Sequence, residues 1–73
     1  MGRTREAEKD YTESLRLQPN NVNALHHLAT LHEKLGDLQR ALDGFNRVIQ
    51  IDSGYAPSFN GRGLVFDRLY KHN

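Results

Sequence analysis

VNALHHLATLHEKLGDLQRALDGFNRVIQIDSGY, residues 22–55, is the stretch whose reading decides the fold. Leu25, Leu28, Ala29 and His32, then Ala41, Phe45, Ile49 and Ile51, fall at three- and four-residue steps, the period of one face of an α-helix. Gly36-Asp37 divides the stretch in two. Glycine takes the left-handed conformation that closes a helix, and the aspartate beside it can cap the next one. So short a link forces antiparallel neighbours. The spacing predicts helices over Val22–Leu35 and Leu38–Ile51. Leu25, Leu28, Leu31, His32 and Leu35 form the apolar face of the first. Leu38, Ala41, Leu42, Phe45, Val48, Ile49 and Ile51 are the expected buried positions of the second.

Working outward, Ala7, Tyr11, Ser14, Leu15 and Leu17 carry the same period upstream, which predicts a helix over Arg3–Leu17 with one modest apolar stripe. Gln18-Pro19-Asn20-Asn21 stops it, because proline lacks the amide donor and its predecessor avoids helical angles; Asn20 or Asn21 is placed to cap the helix that follows. Downstream, Asp52-Ser53-Gly54 reads as a turn and Pro57 suits the first turn of a fourth helix carrying Phe59, Leu64, Val65, Phe66 and Leu69. Gly61 and Gly63 lie inside that helix, each at a cost of roughly 1 kcal/mol against alanine, so each needs a reason. Tyr70-Lys71-His72-Asn73 reads as a polar, frayed end.

With 73 residues the chain makes at most one small domain, and with no cysteine it has neither disulfides nor thiolate metal sites to hold it. The net charge of +1 gives no electrostatic case for a nucleic-acid or acidic-membrane partner. No apolar run approaches the ~20 residues of a membrane span. Met1-Gly2-Arg3-Thr4-Arg5-Glu6 lacks a signal-peptide core and has Glu6 where a myristoylation site has serine or threonine. A cytoplasmic or nuclear setting is the expectation.

Subtracting residue numbers exposes the organisation. Ala41 follows Ala7 by 34 residues, and Phe45, Ile49 and Ile51 follow Tyr11, Leu15 and Leu17 by the same interval. Phe59 follows Leu25, Gly63 follows Ala29, Val65 follows Leu31, Phe66 follows His32 and Leu69 follows Leu35, again by 34. The period and the placed residues Leu25, Leu28, Ala29, His32, Ala41, Phe45 and Ser53 resemble the tetratricopeptide repeat, a helix-turn-helix unit of that length. Leu25 stands for the family's tryptophan, His32 for its tyrosine, Ser53 for its proline, Arg62 for its leucine and Tyr70 for its glycine. On this register residues 1–21 are the second helix of one unit, 22–55 a complete unit and 56–73 the first helix of a third. The fold expected is all-α, a right-handed α-solenoid fragment of antiparallel hairpins with about four helices. Ala29 and Ala41 are expected to face each other where the two helices of the unit cross. Gly63 repeats the Ala29 slot, and the residue that would face it falls beyond Asn73.

Four histidines, His26, His27, His32 and His72, invite a metal reading, but no two stand at the i, i+4 spacing of a helical ligand pair. His32 is better read as a polar aromatic between helices, and His26 and His27 as solvated or ligand-facing. Gly61-Arg62-Gly63 lacks the preceding strand and third glycine of a nucleotide loop, and helix packing accounts for it. Glu6, Glu8, Asp10 and Glu13 alternate with Arg5, Lys9 and Arg16 as a solvated, ion-paired face. No nucleophile–base arrangement is placed by a motif, so no catalytic residue, cofactor or metal ligand is assigned and the chain is read as a non-enzyme.

What the resemblance implies is a scaffold or adaptor that binds a protein or peptide on the concave face of the first helices of each unit. Carried over residue by residue, that face is Asn23, His26, Thr30, Glu33 and Lys34, with Asn60, Leu64, Asp67 and Arg68. Some members clamp a chaperone's C-terminal carboxylate with lysines, arginines and asparagines. Here only Asn60 echoes that set, and His26, Thr30, Pro57 and Gly61 occupy other slots of it, so that clamp is disfavoured. Two other readings compete. The chain can be a fragment of a longer array without independent function, its open fourth helix (Phe59, Phe66, Leu69) driving self-association. RNA binding by a helical repeat is the third, with the charge balance against it.

Overall fold

A computed structural model describes residues 2–70. It holds four helices: α1 (Gly2–Leu17), α2 (Val22–Leu35), α3 (Leu38–Ile51) and α4 (Ala56–Tyr70). Each boundary has a local cause. Asn21 Oδ1 accepts from the Ala24 amide at 3.2 Å and starts α2. Gly36, at φ +86°, sends its amide to the Glu33 carbonyl, and Asp37 sends its own to His32, which closes α2 in a left-handed cap. Asp37 Oδ1 then accepts from Arg40 N at 3.3 Å and opens α3 at once. At the next corner Asp52 Oδ1 takes the Gly54 amide at 3.1 Å, an Asx turn that leads into α4.

The helices stack in chain order. α1 packs on α2, α2 on α3 and α3 on α4, with α4 also reaching α2. The Cα envelope of 40 × 32 × 15 Å is a slab, as expected of hairpins added along one direction. The core is a single cluster of Ala29, Ala41, Phe45 and Val65, with Leu38, Leu42 and Leu69 against it. Val48, Ala24 and Ser58 are buried alongside.

Four details differ from the sequence reading. Ala29 and Ala41 share the core, and α2 and α3 also approach closely between Ala29 and Gly44, a contact the sequence reading did not give: a Cβ on Gly44 would lie 2.8 Å from that of Ala29. Gly61 is the glycine of α4 that packing requires, since a Cβ there would sit 2.5 Å from Phe45 Cζ, whereas Gly63 has nothing within 4 Å. Leu35 and Ile51, placed on buried faces by periodicity, are 55% and 37% exposed. Each is the last residue of its helix. Tyr70, read as part of the frayed tail, is the last helical residue of α4.

Candidate partner-binding face

α2 and α4 run side by side in the same direction, fastened at two levels. Near their starts, His26 Nδ1 and Ser58 Oγ are 3.0 Å apart. Near their ends, Arg68 Nη1 donates to the Glu33 carbonyl at 2.8 Å and to the Glu33 carboxylate. Thr30 and Leu64 lie between these two fastenings along the helices. The Thr30 hydroxyl donates back to the His26 carbonyl at 3.0 Å, so it is spent within its own helix. Leu64 is 59% exposed, an apolar side chain left open to solvent. Asn23, Lys34, Asn60 and Asp67 are exposed as well.

The nine residues carried over from the repeat register therefore divide in two. His26, Glu33 and Arg68 join helices, and Thr30 bonds its own backbone. Asn23, Lys34, Asn60, Leu64 and Asp67 present side chains outward. His26 departs furthest from its reading as solvated or ligand-facing. It is half-buried, its ring centroid 5.6 Å from Phe45, 5.4 Å from Tyr55 and 5.7 Å from His27. Burial, and to a smaller degree His27, holds its pKa below the ordinary histidine value.

Ser58, its fully buried partner, is the functional-site residue that sequence reasoning missed. A signal existed: Ser58 stands one repeat after Ala24, which is also buried. His27 is exposed and stacks on Tyr11 with centroids 5.4 Å apart. His32 packs between α1 and α2, its Nε2 3.2 Å from Glu8 Oε2. His72 lies outside the described residues. Among the described residues no three His, Cys, Asp or Glu side chains converge on one point, and no helix is long and apolar enough to cross a membrane.

A second surface lies on the outer side of α4. Phe59, Phe66 and Tyr70 are 42%, 39% and 65% exposed, and Gly63, Phe66, Asp67 and Tyr70 line an open cleft of about 370 Å³. Leu69, expected on this side, instead turns inward onto the core: it follows the buried Val65 by four residues and shares that face of the helix. Arg62 lies over the rings of Phe59 and Phe66, 5.3 and 6.0 Å from their centroids, and its Nη1 donates to Asn46 Oδ1 at 3.0 Å.

A family model described as the tetratricopeptide repeat matches residues 10–43. The chain is 38% identical over 60 residues to a lipoprotein NlpI homolog of Haemophilus influenzae, covering 82% of this chain and 19% of that protein. It is 33% identical over 59 residues to a protein of Arabidopsis thaliana, the probable UDP-N-acetylglucosamine–peptide N-acetylglucosaminyltransferase SPINDLY, covering 81% of this chain and 6% of the relative. It is 30% identical over 60 residues to Hsp70-Hsp90 organizing protein 3 of Arabidopsis thaliana, covering 82% of this chain and 11% of the relative. The chain thus spans less than a fifth of the length of each of these relatives.

Proposed function

We propose that this chain, which belongs to the tetratricopeptide-repeat family, is a non-enzymatic adaptor that holds an extended segment of a protein partner along the α2–α4 face. The repeat itself is a protein-interaction scaffold without catalytic parts. The observation that carries the finer reading is the exposed apolar side chain of Leu64, with exposed Asn60 and Asp67 on its face of α4 and exposed Asn23 and Lys34 on α2, the helix to which α4 is fastened. A fixed pair of helices needs little ordering when a ligand arrives, so less of the contact energy is lost. Leu64 supplies an apolar contact, the asparagine amides can donate and accept towards a peptide backbone, and Lys34 and Asp67 offer both charge signs to its side chains.

The relative named for organizing Hsp70 and Hsp90 supports binding of a protein. A chaperone-tail carboxylate is not the ligand proposed here, because His26 is occupied by Ser58 and Arg68 by Glu33. The transferase named among the relatives is matched over 6% of its length, so its activity forms no part of this reading.

Selection of a displayed library of extended peptides on the folded chain tests the proposal. Binders should lose affinity on Leu64→Glu and on Asn60→Ala, and keep it on Phe66→Glu, which lies on the other side of α4. Binders indifferent to Leu64 and Asn60 would remove the basis for this site.

A further inference from the structure

We infer that the outer side of α4 receives α1 of a second copy of this chain, head to tail. The argument starts inside the intact unit, where α2 and α3 approach so closely at Ala29 that the opposite residue must be Gly44: a Cβ there would stand 2.8 Å from the Ala29 Cβ. One repeat later, the Ala29 slot of α4 is Gly63; one repeat earlier, the Gly44 slot of α1 is Asp10. Seating α1 of one copy on α4 of another brings Gly63 opposite Asp10. The larger residue has moved to the other helix and the smaller one has moved to meet it. Among the described residues, a Cβ on Gly63 would have nothing within 4 Å, Asp10 is exposed, and α1 packs on α2 alone.

Charge agrees with shape: the guanidinium of Arg62 lies over the rings of Phe59 and Phe66 on the same side of α4, a cation to set against the carboxylate of Asp10. The pairing is also selective, because Asp10 could not be seated opposite an alanine such as Ala29. The contact joins unlike surfaces, α1 of one copy and α4 of the next, so it is heterologous and does not close at the dimer. This inference does not depend on the peptide-binding reading, whose residues Asn60 and Leu64 lie on another side of α4; Asp67 alone borders both.

Sedimentation velocity on the 73-residue chain, from dilute to concentrated solution, should show a mass that climbs without halting at the dimer. Gly63→Ala should return it to monomer by recreating the Cβ conflict, with helicity by circular dichroism undiminished because the site of Gly63 is open. Gly63→Ala combined with Asp10→Gly restores the Ala29/Gly44 arrangement and should restore assembly. A parent chain that stays monomeric throughout overturns the inference and leaves the face to a helix of another protein. A Gly63→Ala variant that associates as well as the parent overturns it too, since the face is then a non-selective apolar patch. So does a double variant that keeps parental helicity and remains monomeric.

Discussion

Gly61 and Gly63 stand two residues apart in the same helix, and alanine at each should have opposite consequences. In both places alanine removes the backbone freedom that glycine loses on folding, which favours the helix by roughly 1 kcal/mol. At Gly63 nothing offsets that gain, because the new methyl group enters open space. At Gly61 the methyl meets Cζ, Cε1 and Cε2 of Phe45 at 2.5, 2.6 and 2.9 Å, so the ring must withdraw by about 1 Å to reach ordinary contact. Phe45 is 1% exposed and enclosed by Ala29, Ala41 and Val65, so it has little room to do so. Overpacking of this kind costs about 1–3 kcal/mol. The helix term cancels when the two variants are compared, which leaves Gly61→Ala less stable than Gly63→Ala by about 1–3 kcal/mol. For a domain of this size 1 kcal/mol moves the midpoint by roughly 4–8 °C. Far-UV circular dichroism melts, run at a dilution where the chain is monomeric, read that difference directly. Equal rises in Tm for the two variants would refute the assignment of Gly61 as the seat of Phe45.

Three further substitutions test other parts of the structure. Phe45→Ala removes the largest fully buried side chain at about 3–5 kcal/mol, comparable with the whole stability of so small a core; a urea titration should show no cooperative transition, and a near-parental midpoint would contradict the core described. Asn21→Ala removes the cap of α2 and should lower stability by about 1 kcal/mol. Asn20→Ala, which loses only an exposed bond from Arg47, should be close to neutral in the same denaturant assay. His26 supplies a pH dependence. Its folded-state pKa lies below the ordinary value of 6.5, from burial first and His27 second, so the unfolded chain takes up the proton more readily. Its contribution to stability is complete above that ordinary value and is lost as pH falls from there through the lowered one. His26→Gln should flatten the fall of the melting midpoint below neutrality, and an unchanged slope would show that other groups set it.

Most of the helical frame was legible in the sequence because its stops are local. The Asn21 cap, the Gly36-Asp37 link and the Asp52-Ser53-Gly54 turn act through atoms a few residues apart, and α2 and α3 begin and end where they predict. What the period could not give was the order of closeness between helices. Small residues at Ala29, Ala41, Gly44, Gly61 and Gly63 look alike in a pattern, and only the crossing geometry separates Gly44 and Gly61, which are needed, from Gly63, which is free. The candidate face was located by register, yet register treats every slot as equally open. His26 falls in a ligand-lining slot and is nevertheless drawn into a bond with Ser58, because a buried hydroxyl needs a partner and the imidazole is the group beside it. Leu35 and Ile51 are exposed although the periodic stripe includes them, and each is the last residue of its helix, where the period alone carries no information about cover.

α4 has three sides, and each answers to a different neighbour. Asn60, Leu64 and Asp67 recur at i, i+4 and i+7 beside α2. Phe59, Gly63, Phe66 and Tyr70 recur at i, i+4, i+7 and i+11, roughly 100° further round the helix, on the side facing away from the stack. Between them Val65 and Leu69 enter the core, with Gly61 against Phe45. A change at Leu64 therefore touches the proposed peptide face without reaching the end-to-end contact, and Gly63→Ala does the reverse. The two proposals can fail separately. They are joined only through the third side, because the position of α4 on α3 sets both the fastening of His26 to Ser58 and the presentation of Gly63 to a second copy. Loosening the Phe45–Gly61 seat should weaken both together, although neither surface contains those residues. Joint loss on Gly61→Ala, beside separate losses on Leu64→Glu and Gly63→Ala, is the pattern that a three-sided helix requires.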